Sequence, residues 1–260
     1  MLKPSTELKQ EYDQQGYLVF RDYFTSSEIA SLKITILSFH QAWKSKHQQF
    51  YQHEAFNSSL ITGSEFLNKQ QRLALFQFIS CTKLMTIIDA LFPEKAAFMN
   101  TQLFFNPCTA EQENFWHRDC QYDHDLAGQQ QAIKTTQVVH FRVPLFDEPG
   151  MELVPGSHQR WDTQEELDVR LARKRKFSSD DLSSGKQIPL RSGDLLVFSA
   201  DMIHRGIYGL DRLAFDTLIF DTKGDFADYV DDDCLPDTLM LKKIANPAIF
   251  ENTLNLKSIS

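Results

Sequence analysis

The second half of the chain restricts the fold most, because it is a series of strand-like runs divided by turns. "FMNTQLFFN" (98–106), "TTQVVHFRVPLF" (135–146), "IPLRSGDLLVFSA" (188–200) and "RLAFDTLIFD" (212–221) are rich in β-branched and aromatic residues. "EPG" and "PGSH" mark turns around the second run. The first half reads differently. "STELKQEYDQQG" is a short helix, with Ser5 or Thr6 at its start and Gly16 at its end. "YLVFRDYF" (17–24) is a strand. Thr25 and Glu28 have capping-box spacing ahead of a helix whose apolar residues are Ile29, Leu32, Ile36, Phe39 and Trp43. That helix is expected to pack on the outside of a sheet. Residues 44–70 read as a polar loop, and 71–92 as one helix stopped by Pro93. An insertion at 159–186 is helical around 163–174, and the tail from Gly224 is acidic, then mixed.

Helices first and strands after point to an α+β or mainly β class, a barrel with helices laid over it. No repeat or linker divides the chain. The expectation is a single domain over 1–260, with a helical part at 1–97, a core at about 98–221 and a C-terminal extension at 222–260. A chain of 260 residues can bury a sizeable core, and its 21 phenylalanines predict an aromatic interior. The net charge of −8 argues against nucleic acid as a partner. "RLARKRK" (170–176) is a local exception, fit for a phosphate or for a solvated helix face. Cys81, Cys108, Cys120 and Cys234 include no C-x-x-C pair, so they read as reduced thiols in a cytoplasmic protein. The N-terminus has no apolar signal core, and no stretch has the length of a membrane span.

Chemistry concentrates in "NFWHRDCQYDHD" (114–125). A kinase catalytic loop is excluded, because position 124 is His where that motif needs Asn, and no Gly-rich loop precedes it. Read as a strand, Phe115, His117 and Asp119 share one face, and Trp116 and Arg118 the other. An imidazole and a carboxylate two apart can grip one cation, but a non-haem iron triad needs a second histidine. His204 in "SADMIHRG", just after an apolar strand, is the best candidate. Arg212, eight residues on, opens a strand and can pair bidentately with an organic carboxylate.

Other polar residues receive plainer readings. Asp123, His124 and Asp125 form a rival cluster, read as a solvated loop at the site entrance. His158 is structural, and His40, His47, His53 and His140 lack a carboxylate at ligand spacing. Strand alternation turns Cys120 away from the metal. Arg142 and Asp216 lie on core strands and need partners there. For Asp216 the partner is Arg212 or another internal base, unless it belongs to the substrate pocket.

These motifs, in this order, resemble the phytanoyl-CoA dioxygenase-like family of Fe(II)/2-oxoglutarate-dependent oxygenases. The resemblance runs from about residue 10 to residue 221. It is carried by "YDQQGYLVFRDYFTSSEIASLK", "FWHRD", "MELVPGSH" and "GDLLVFSADMIHRG" followed by "DRLAF". It implies a double-stranded β-helix (jelly-roll, cupin-like) core. His117, Asp119 and His204 would hold Fe(II), and Arg212 the far carboxylate of 2-oxoglutarate, with Gln102 and Asn106 as further co-substrate contacts. Two places depart from the family pattern: Asn106 stands where a lysine is common, and Tyr208 lies where an asparagine often follows the distal histidine. The implied reaction is hydroxylation of a small organic substrate with O2, releasing succinate and CO2. A carboxylate at Asp119 favours hydroxylation over the halogenation seen in relatives with a small residue there. Two alternatives stay open: a cupin-like metalloenzyme that does not use 2-oxoglutarate, and a non-catalytic binding module. Succinate formation separates both from the oxygenase. The substrate and the oligomeric state are not encoded in any motif.

Overall fold

The computed structural model describes residues 3–109, 112–135, 137–223 and 226–259. Thr136, inside the second expected strand run, and Gly224, at the start of the tail, lie outside the described residues.

Two antiparallel sheets make the core. In chain order the strands are β1 (Tyr17–Phe20), β2 (Asn57–Ser59), β3 (Ala96–Phe105), β4 (Val138–Pro144), β5 (Glu148–Leu153), β6 (Lys186–Leu190), β7 (Leu195–Ser199), β8 (His204–Gly206) and β9 (Leu213–Asp221). The larger sheet has the order β1-β7-β4-β9-β3-β2, and the smaller β6-β5-β8. The α+β expectation with a jelly-roll type of core therefore holds. Alternation along the large sheet decides what each face does. Val139, Phe141, Val143, Phe215 and Ile219 join the main apolar core with the helices. On the other face, His140, Arg142, Asp216 and Leu218 line a cavity. Next to it, Met151, Leu153, Ile188 and Leu190 of the small sheet pack on Leu196 and Phe198 of the large one.

The helices are α1 (Ser5–Gln15), α2 (Ser26–Lys46), α3 (Gln48–His53), α4 (Lys69–Ile79), α5 (Thr82–Leu91), α6 (Leu126–Thr135), α7 (Gln164–Arg170), α8 (Thr238–Leu241) and α9 (Ala248–Ile259). Gly16 ends α1 with φ of 80°, a left-handed cap that favours glycine. The cap at the other end of α1 differs from expectation, since Pro4 stands there with no side-chain bond. The capping box of α2 forms as expected: Glu28 N donates to Thr25 Oγ1 at 3.3 Å, and Thr25 N to Glu28 Oε2 at 2.7 Å. α9 seals the far edge of the large sheet, where Thr253 Oγ1 donates to Phe98 O at 2.8 Å.

Several expected elements are corrected. The polar loop at 44–70 holds α3 and β2, ordered by Trp43, His40 and Tyr51 gathered around Phe105. The helix at 71–92 is two helices, broken where Ser80 Oγ donates back to Phe76 O and Cys81 starts α5. The run 188–200 is two strands in different sheets, divided by a turn in which Asp194 accepts from Arg191 N at 3.0 Å. "EPG" is not a turn but the start of β5, where the register slips between Glu148 and Met151. Among the described residues no single helix is long and apolar enough to cross a membrane; the bent pair α4 and α5 passes by length and composition only.

Candidate metal and co-substrate site

Trp116 and Arg118 aim the H-x-D segment. Both are fully buried on the side away from the cavity. Trp116 packs with Val154, Val169, Leu182 and Ile203, and its Nε1 donates to Asp180 O at 3.0 Å. Arg118 donates to Asp162 Oδ1 through Nε at 2.9 Å and Nη2 at 2.7 Å, and also to the carbonyls of Ser157 and Asp201. With these two side chains anchored, alternation turns His117 and Asp119 inward. The alternation then stops. Residues 119–121 form a 3-10 turn, so Cys120 lines the cavity instead of facing away as expected.

His204 meets this segment directly. His117 N donates to His204 O and His204 N to His117 O, each at 2.9 Å. This two-way bridge brings the imidazole centroids to 4.2 Å. Nε2 of each histidine lies 3.5 Å from Asp119 Oδ1. The ligand atoms of His117, Asp119 and His204 all lie within 4.8 Å of one another, the only such trio of His, Cys, Asp or Glu among the described residues. The Nδ1 atoms sit against backbone carbonyls, of Phe115 at 3.1 Å and of Met202 at 2.9 Å. That contact fixes the tautomer and leaves both Nε2 lone pairs facing Asp119. Burial lowers the pKa of His117 and pushes that of His204 down to about 3, so both rings are neutral near pH 7. Two neutral imidazoles and one carboxylate on one face fit a divalent iron-type ion.

Behind Asp119 runs a chain of buried charges. His140 Nε2 lies 2.8 Å from Asp119 Oδ2, and its Nδ1 3.2 Å from Asp216 Oδ2. Asp216 Oδ1 accepts from Arg142 Nη1 at 3.1 Å, and Arg142 Nε donates to Glu148 Oε1 at 3.1 Å. Glu148 Oε2 is 3.7 Å from Arg212 Nε. Burial works against a charged His140, but its bonds to Asp119 and Asp216 override that and raise its pKa to about 9. Burial would raise Asp119, yet the bond to the charged His140 holds it below the ordinary carboxylate range. His140 thus has two carboxylate partners, contrary to the expectation that it had none. Period-two reading of "VVHFRVP" holds a signal for it, because His140 and Arg142 share the face opposite Val139, Phe141 and Val143. Asp216 pairs with Arg142 and His140 rather than with Arg212.

Arg212 lies at the other end of the cavity. It is 4% exposed, which shields it from water while its Nε has no hydrogen-bond partner. Nη1 donates to Phe105 O at 3.1 Å. Burial, with Arg142 nearby, pushes its pKa down to about 10, still above neutrality. Gly206 makes room for it, since a Cβ there would lie 2.3 Å from Arg212 Nη2. A buried, under-bonded guanidinium aimed into a cavity fits a carboxylate guest. Gln102 lines the same cavity of about 490 Å³. Asn106 does not. Its amide holds the turn before Arg212, donating to Leu210 O at 2.7 Å and accepting from Gly209 N at 2.9 Å, so the expected co-substrate contact is corrected.

The remaining expectations sort by burial. Asp123, His124 and Asp125 are exposed, and Asp125 caps α6 by accepting from Gly128 N at 2.8 Å. The basic stretch is no helix face. α7 ends at Arg170, which is buried against Asp162, and Ala172, Lys174 and Arg175 take positive φ in turns. His158 is buried, and burial pushes its pKa down to about 4.

Comparison with known proteins agrees with this geometry. Residues 12–207 match the family model for phytanoyl-CoA dioxygenase (PhyH). No curated protein matches the chain significantly. Among solved structures, EctD from S. alaskensis with 2-oxoglutarate and 5-hydroxyectoine is 13% identical, with a TM-score of 0.61 over 95% of this chain and 83% of that one. HygX from Streptomyces hygroscopicus with nickel and 2-oxoglutarate is 15% identical, with a TM-score of 0.59 over 85% and 88%. AviO1 from Streptomyces viridochromogenes Tue57 is 15% identical, with a TM-score of 0.58 over 85% and 96%. At these identities the structures speak for the fold, and the family model, covering three quarters of the chain, speaks for descent. The chain belongs to the phytanoyl-CoA dioxygenase family of iron(II)- and 2-oxoglutarate-dependent non-haem oxygenases.

Proposed function

We propose that this enzyme hydroxylates a C–H bond of a small organic molecule, with His117, Asp119 and His204 as the iron ligands and Arg212 as the anchor of 2-oxoglutarate. The observation that carries the reading is the pairing of a three-ligand face with a buried, under-bonded guanidinium in one cavity. When bound, iron(II) and 2-oxoglutarate supply the oxidative chemistry that yields succinate, CO2 and a hydroxylated product.

The protein's own residues bind, orient and exclude water. His117 and His204 present Nε2, because the carbonyls of Phe115 and Met202 hold Nδ1. His140 holds one oxygen of Asp119, which leaves the other facing the histidines. Arg212, with Gln102 in the same lining, would hold the distal carboxylate of the co-substrate. The aromatic lining, including Phe104, Phe115 and Phe198, keeps water from the reacting centre. Asp119 fills the position that a halide would need, which favours hydroxylation. The whole chain acts as one catalytic unit, with four unpaired cysteines in keeping with a cytoplasmic enzyme.

Anaerobic addition of 2-oxoglutarate to the Fe(II) protein, followed by succinate assay in air with candidate substrates, tests the proposal. A protein that binds Fe(II) but neither binds 2-oxoglutarate nor forms succinate belongs to the cupin-like alternative instead.

A further inference from the structure

The groups of the cavity leave no free cation for an anionic substrate: His140, in the same lining, has both ring nitrogens bonded, to Asp119 and to Asp216. Among its described lining residues, Arg142 and Arg212 are the only arginines, and there is no lysine. Arg142 is paired with two carboxylates: Nε and Nη2 donate to Glu148 at 3.1 and 3.4 Å, and Nη1 to Asp216 at 3.1 Å. Arg212 is taken by the co-substrate if the function proposed above is right. A second anion would therefore be buried with no partner.

The rest of the wall fits an apolar guest. Met99, Met151, Phe198 and Leu218 line the cavity together with Phe56 and Phe115. At the mouth, Tyr122 is 61% and Tyr229 52% exposed, so an aromatic surface continues from the interior into solvent. Asp123 is exposed on the same wall and adds a negative charge beside any guest there. No residue of the stretch 170–176 lines the cavity, Arg170 is tied to Asp162, and Lys174 to Asp168.

We propose that the substrate enters with an uncharged, largely apolar body, longer than the cavity, and brings neither carboxylate nor phosphate to the iron site. This substrate class rests on the co-substrate role of Arg212.

The test is anaerobic calorimetry on the protein loaded with Fe(II) and 2-oxoglutarate, using three probes with one common body: phenylhexanol, phenylhexanoate and phenylhexanoyl-CoA. The alcohol should bind at least about tenfold more tightly than the carboxylate, and the thioester no more tightly than the alcohol. A carboxylate or thioester that matches or exceeds the alcohol overturns the proposal, and so does no binding of the alcohol up to millimolar concentration. Binding of 2-oxoglutarate is measured first, so its failure counts against the proposed function alone. The series is then repeated in Arg212→Met, where the one open cation is gone whatever its role. There the preference for the alcohol should persist, and its loss overturns the substrate class. Met99→Lys, which adds a cation to the wall, should narrow the gap. Tyr229→Lys, at an exposed position that leaves folding intact, serves the same purpose. A gap that neither variant narrows shows that charge does not set the preference and overturns the proposal.

Discussion

Residues 117–119 and 123–125 offer the same donor types a few positions apart, but the fold treats them oppositely. The first pair is locked by buried neighbours, Trp116 and Arg118, and bridged to a distant strand by two backbone bonds with His204. The second cluster is exposed at the mouth, and one of its carboxylates serves only to cap α6. A high local density of donors therefore does not by itself make a candidate metal site. What the proposed site adds is a third donor delivered from elsewhere, with both rings held in a fixed tautomer.

The strongest way to break this comparison is to exchange the fates of the two clusters. His117→Ala and His204→Ala should each remove most iron and all turnover, a larger loss than the roughly ten- to hundredfold typical for groups that only support a ligand. His124→Ala should leave iron content unchanged. Metal analysis after anaerobic loading reads both; the reverse result would move the site to 123–125. Arg212 comes next. Arg212→Ala should weaken 2-oxoglutarate by about one to two decades, and Arg212→Lys by less, with iron retained in both. Titration of 2-oxoglutarate into the Fe(II) proteins measures it, and wild-type affinity in Arg212→Ala would reassign the anchor.

His140 sharpens the contrast further, as a histidine that touches the proposed ligand Asp119 without joining the three-donor cluster. His140→Leu should lower iron affinity about tenfold, with the protein still folded. Unchanged affinity would make His140 a packing residue.

A fourth test uses pH on the metal-free protein. His40, His158 and His204 are pushed down from 6.5 to about 4, 4 and 3, chiefly by burial. Their unfolded forms take up protons first, so stability should be full above about pH 6.5 and fall as pH drops below it. His140 moves the other way, from 6.5 to about 9. Its contribution is full below pH 6.5 and is lost as pH rises through 9. Melting temperature should therefore decline on both sides of the near-neutral range, and His140→Leu should remove the alkaline decline. A decline that survives in that variant assigns it to another group. The smallest effect belongs to the basic stretch: neutralising Arg173, Arg175 and Lys176 together should leave kinetics and their salt dependence unchanged.

Much of this was readable from the chain. The period-two runs located the core strands, and the H-x-D, His204 and Arg212 order picked out residues that the fold brings to one cavity, because residue identity and spacing are local facts. Other features were not readable. "RLARKRK" has the composition of an exposed helix, yet Arg170 is buried because Asp162, Gln121 and Gln129 converge on it from other segments. The single run at 188–200 gave no sign that its halves belong to different sheets.

The sequence by itself determined the donors and their order: two imidazoles, one carboxylate and one guanidinium on segments that must be extended. Tertiary structure decided which oxygen of Asp119 faces the histidines, why Asp216 serves Arg142 and His140, and why Asn106 holds a turn. The first two are pairings of charges that β4, β5 and β9 bring against one another and against Asp119, and the third is an amide closing a turn between separate loops. A buried charge takes whichever partner the strand register sets opposite it, and that register is a property of the assembled sheets.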